Sequence, residues 1–74
     1  MVINERHKEI LLMSMQGLKT KEIAQKLNIS VNTVKYHKKN IYASLNTKTI
    51  AESVIKAIEL RLVDIESKKD YSEG

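Results

Sequence analysis

Between Thr20 and Leu45 the chain reads TKEIAQKLNISVNTVKYHKKNIYASL, and this stretch leaves few folds open. Its pattern is a short helix over residues 20–27, a tight turn through Asn28, Ile29 and Ser30, and a longer helix over residues 31–45. The longer helix sets Val34, Ile41 and Leu45 on one face and Asn32, Lys35, Tyr36, Lys38 and Lys39 on the opposite one. Asn28 suits the left-handed backbone such a turn needs, Ile29 plugs the core, and Ser30 is placed to cap the longer helix. In the short helix Thr20 is the expected N-cap, Glu22 lies in the first turn, and Ile23, Ala24 and Leu27 form the buried edge. The small side chain of Ala24 lets the two helices approach closely at the elbow.

On either side the chain continues in helices. Asn4 is a good N-cap with Glu5 behind it, and Ile3, Ile10, Leu11 and Met15 recur at helical spacing with His7 and Ser14 on the same stripe. Gly17 closes this helix, expected over residues 4–16, as a left-handed C-terminal residue, and Leu18 packs back on it. His7 is expected to be a partly covered boundary residue. After a break at Asn46 and Thr47, the pair Thr49 and Glu52 has the spacing of a capping box and opens a last helix expected over residues 49–63. That helix has two adjoining faces, one with Val54, Ala57, Ile58 and Arg61, the other with Ala51, Ile55, Ile58 and Leu62, and Leu60 and Val63 add further apolar area. A terminal helix of so small a domain needs only one buried stripe. The excess points to a second copy of the chain, with Ala51, Ile55, Ile58 and Leu62 as the dimer interface.

The fold class is therefore all-α with four helices, a single domain over residues 1–64 and a polar tail over residues 65–74. Seventy-four residues without Phe or Trp must build their core from Ile, Leu, Val, Met and Ala. A core of that size supplies limited stability, which oligomerisation commonly supplements. Without cysteine there are no disulfides or thiolate metal sites, and two histidines, His7 and His37, are too few for an ordinary zinc site, so no metal and no cofactor are expected. No apolar run reaches the length of a membrane span and no signal-peptide core is present, so a soluble, cytoplasmic protein without membrane contact is expected. Catalysis is not expected either. There is no paired-carboxylate, Cys–His or phosphate-loop arrangement, and Ser30 and His37 fall on one helix without a third orienting group.

The formal charge of +4 is unevenly spread. Residues 19–48 hold seven lysines against Glu22 alone, a local balance of +6, whereas residues 64–74 carry −2. A cationic middle and a mildly acidic end suit a surface that faces phosphate. Together, the short helix, the turn and the lysine-bearing helix have the form of a helix-turn-helix, whose second helix enters the DNA major groove. A lysine at the groove floor can donate to guanine O6 and N7, and Asn32 is short enough to read adenine. Hydroxyls and amides at the starts of the second and third helices suit phosphate.

The residues Asn4-Glu5-Arg6-His7-Lys8-Glu9-Ile10-Leu11, Gly17, Lys21-Glu22-Ile23-Ala24, Leu27, Ile29-Ser30, Thr33-Val34-Lys35, His37, Asn40-Ile41 and Leu45 resemble the LuxR/GerE-type DNA-binding domain over residues 3–63. The resemblance implies a four-helix domain whose second and third helices form the motif and whose fourth commonly mediates dimerisation. It implies base contacts by Lys35, Tyr36 and Lys39, which Asn32 joins on chemical grounds. It implies backbone contacts at Thr20, Lys21, Thr33, His37 and Lys48, to which the basic face adds Lys38. The chain departs from the family where Asn46 replaces a usual glycine, Thr47 a valine, Ile50 an arginine, Ser53 an alanine, Arg61 a glycine and His7 an acidic residue. With Met1 directly ahead of the first helix, a free-standing regulator is expected.

The expectation is a sequence-specific transcriptional regulator bound as a homodimer to double-stranded DNA. The alternative is a protein-interaction module of the same fold that binds RNA polymerase or another regulator. A sigma-factor tail shares the four-helix form but fits the KEIA and TVKYH residues less well.

Overall fold

A computed structural model describes residues 3–63, which form four α-helices in the order α1 (Glu5–Met15), α2 (Thr20–Leu27), α3 (Val31–Leu45) and α4 (Ile50–Glu59). The all-α fold is as expected. The polar tail expected at 65–74 lies outside the described residues. Helix α3 packs against each of the other three, α1 touches all of them as well, and α2 and α4 do not meet. The core is aliphatic: Ile3, Ile10, Leu11, Ile23, Ala24, Val34, Ile41, Leu45, Ala57 and Val63 are buried. Val34, Ile41 and Leu45 are thus the buried stripe of α3, as their spacing implies.

The helix starts are set by short-range polar chemistry. The side chain of Asn4 accepts from the His7 amide at 2.8 Å, and the His7 ring returns the favour through Nδ1, a longer 3.4 Å from the Asn4 amide. Ser30 Oγ accepts from the Thr33 amide at 3.0 Å and caps α3. Two starts differ in detail from expectation. In α2 the N-cap is Lys19, whose amide donates to Glu22 Oε1 at 2.7 Å, and Thr20 is the first helical residue. A lysine cannot accept a helix amide, so the carboxylate three residues on makes the reciprocal bond alone, and the Thr20 hydroxyl is left for other work. In α4, Thr49 Oγ1 caps the Glu52 amide at 3.1 Å, but the Glu52 carboxylate bonds the Lys48 amide at 2.8 Å rather than that of Thr49.

All four helices stop in the same way. Gly17, Asn28, Asn46 and Arg61 have positive φ of 91°, 58°, 58° and 61°. The next amide then reaches back to the carbonyl five residues earlier: Leu18 to Met13, Ile29 to Ala24, Thr47 to Tyr42 and Leu62 to Ala57, at 2.8–3.1 Å. This is the Schellman arrangement, and it turns the apolar residues Leu18, Ile29 and Leu62 onto the core. Helix α4 therefore ends at Glu59, short of the expected 63, because Arg61 takes the left-handed turn.

Ser53 is fully buried beneath the start of α4. Its hydroxyl donates to the Thr49 carbonyl at 2.8 Å and accepts from Thr47 Oγ1 at 2.6 Å. The two departures from the family at Thr47 and Ser53 are thus one feature, a hydroxyl pair in which half-buried Thr47 donates to buried Ser53.

Candidate nucleic-acid interface

The apolar stripe of α3 is held from beneath by α1, α2 and α4, so its opposite face is presented on a braced helix. Asn32, Lys35, Tyr36 and Lys39 stand on that face at i, i+3, i+4 and i+7, and all four are exposed, Tyr36 at 62%. This is the four-residue set expected to meet base edges, and the fold brings it together. Tyr36 turns its ring edge-on to His37, with centroids 5.9 Å apart.

The residues expected at phosphate divide into two groups. Lys21 and Lys48 are exposed at the starts of α2 and α4, with side chains pointing to solvent. Thr20, Thr33, His37 and Lys38 are half-buried and already engaged with other parts of the protein. The Thr33 hydroxyl lies 2.8 Å from Ser30 Oγ. Lys38 Nζ donates to Thr20 Oγ1 at 2.7 Å, and burial holds its ammonium below the usual lysine value. The His37 ring sits 5.5 Å from that of His7 in an edge-on contact between α3 and α1, with its Nδ1 buried and unpartnered. Burial, and after it the neighbouring His37, lowers the pKa of His7.

The sequence pattern did not reveal the His7–His37 contact, since the two lie on helices whose crossing is set by the tertiary packing. Nor did it reveal that Lys38 lies along the α2–α3 seam. A signal was present in its position: at i+4 from Val34, it borders the buried stripe instead of opposing it.

The charge around the site remains one-sided in three dimensions. Lys19, Lys21, Lys26, Lys35, Lys39 and Lys48 are all exposed, and among the described residues the ion pairs are Arg6–Glu9 and Lys8–Glu5, both on α1. An exposed cationic rim around a stripe of amide, ammonium and phenol groups can neutralise phosphates and donate to base edges at the same time. Among the described residues no helix is long and apolar enough to cross a membrane, and no cluster of His, Cys, Asp and Glu could hold a metal ion.

Residues 1–57 match the family described as bacterial regulatory proteins, luxR family (GerE). Oxygen regulatory protein NreC of Staphylococcus carnosus is 41% identical over 63 residues, covering 85% of this chain and 29% of that protein. Its counterpart in Staphylococcus epidermidis is 38% identical over the same length. The crystal structure of the response regulator ChrA, from a heme-sensing two-component system, superposes with a TM-score of 0.81 at 35% identity, covering 85% of this chain and 31% of that one. The chain thus spans less than a third of the length of these relatives.

Proposed function

The chain belongs to the luxR family of bacterial regulatory proteins, a DNA-binding helix-turn-helix family of transcriptional regulators, and on that premise we propose that α3 reads the DNA major groove through Asn32, Lys35, Tyr36 and Lys39. The observation that carries this reading is the stripe itself: four exposed polar side chains on the face of α3 opposite Val34, Ile41 and Leu45. Lys21 and Lys48 supply charge to the flanking phosphates, and the Thr33 hydroxyl lies at a helix start where backbone oxygens approach. Such a partner implies a cytoplasmic location and a regulatory rather than an enzymatic role.

A second copy is the protein partner this reading takes. Ile55 and Leu60 are 58% and 53% exposed on α4 and its cap, and Ala51 is exposed one turn before Ile55. Ile58 and Leu62 are half-buried against the core and border that patch. Pairing through α4 would place two reading helices on half-sites about one turn apart, ~34 Å. The same exposed aliphatics are what favours the second reading, in which RNA polymerase or another regulator docks there.

Selection of bound duplexes from a random pool, followed by titration of variants, tests the assignment. Lys35→Ala and Lys39→Ala should each lose about 1–3 kcal/mol on the selected duplex and relax base preference at one position. Lys48→Ala should weaken all duplexes alike and lower the salt slope by about 0.9. Unchanged affinity and selectivity in both α3 variants would remove α3 as the reading element.

A further inference from the structure

The Lys38–Thr20 bond is the one side-chain hydrogen bond that joins two helices among the described residues. Where α2 meets α3, Ile23, Ala24 and Val34 are part of the apolar core and Leu27 packs partly buried against it. Apolar packing is tolerant of small rotations, whereas a 2.7 Å ammonium–hydroxyl bond is directional. Both partners are half-buried, and Thr20 is available because Lys19 and Glu22 have taken over the start of α2. Lysine has no acceptor, so Thr20 Oγ1 must accept from Lys38, which leaves the threonine O–H proton to be directed elsewhere.

We propose that Lys38 is a positioning residue: it fixes the angle between α2 and the reading helix by holding Thr20, and its charge is not spent on a DNA phosphate of its own. The inference rests on the reading of α3 given above and departs from the expectation that Lys38 is a backbone contact. The ammonium stands at the seam between the two helices, on the border of the buried stripe. Its exposed neighbours Lys35 and Lys39 carry the charge that DNA meets.

The test is a double-mutant cycle on the full chain with Lys38→Met and Thr20→Val, each close in shape to the residue it replaces, and Thr20→Ser as the conservative variant. Binding is measured to a duplex selected in vitro and to a shuffled duplex of the same length, each over a range of salt. Lys38→Met and Thr20→Val should each lose about tenfold on the selected duplex and much less on the shuffled one. The double variant should be no worse than either single one, Thr20→Ser should bind as the wild type does, and the salt slope of Lys38→Met should equal that of the wild type.

A slope lower by about 0.9 with equal losses on both duplexes would make Lys38 an ordinary phosphate contact and overturn the proposal. Additive losses, or none, would overturn it as well. Should Lys38→Met fail to fold, Thr20→Val alone decides: selectivity must fall while the slope holds. Wild-type chain that bound neither duplex would sink the DNA reading itself. Thermal unfolding of the same cycle would then still report whether the two side chains are coupled.

Discussion

At His7 a single ring does two jobs that a proton would disrupt together. Its Nδ1 accepts from the Asn4 amide at the start of α1, and its edge-on contact with His37 joins α1 to α3. Burial first, and His37 second, hold its pKa below the ordinary 6.5. The folded chain therefore binds this proton less readily than the unfolded chain. The stability His7 contributes is fully present above the unfolded value, 6.5, and is lost as pH falls below it toward the depressed folded value. The urea midpoint should accordingly drop between about pH 7.5 and about pH 5.5. In His7→Gln, where the amide can still close the capping box without titrating, that drop should be smaller. An equal drop in both proteins would assign the pH dependence to other groups. An acidic residue, usual in the family at this position, would close the same box but could not sit edge-on to His37 without burying a charge.

The elements owe their boundaries to side chains at their ends more than to their interiors. Asn4, Gly17, Asn28, Ser30, Asn46 and Thr49 were legible as caps because each offers what a helix end lacks, an acceptor for its first amides or tolerance of positive φ at its last turn. The stop of α4 was not legible, because Arg61 carries no such preference. Its left-handed conformation is imposed by Leu62 and Val63 turning back onto the core. The family's usual glycine there was the available hint, outweighed by an apolar pattern that ran on through Val63. Arg61→Gly should relieve the strain that a Cβ brings at φ 61° and stabilise the chain by about 1 kcal/mol, raising Tm by about 4–8 °C. Arg61→Ala, which keeps the Cβ, should not. A gain of equal size from both would locate the effect in the lost charge. The candidate site was legible in part: helical spacing grouped Asn32, Lys35, Tyr36, Lys38 and Lys39 on one face, and the structure keeps all of these there but Lys38, which turns to Thr20. The partnering of Lys38 and His37 depends on the angles between helices, which no local pattern encodes.

For the whole molecule, function turns on how many copies act together. Among the described residues ten apolar side chains form the core, a small interior, and Ile55 and Leu60 leave apolar area in water on the face α4 turns away from it. Sedimentation equilibrium should show twice the chain mass at rising concentration for the wild type, and a single chain for Ile55→Glu with unchanged helical content by circular dichroism, since Ile55 is exposed in the single chain. A wild type that stays single, alone and on the selected duplex, would exclude pairing through α4.

The absence of any contact between α2 and α4 bears on how such a pair could be tuned. With both flanking helices leaning on the middle one, a clasp formed at one shoulder can reset the spacing of two bound halves without touching the opposite shoulder. Substitutions there should alter which operators are spanned while each half keeps its own alphabet.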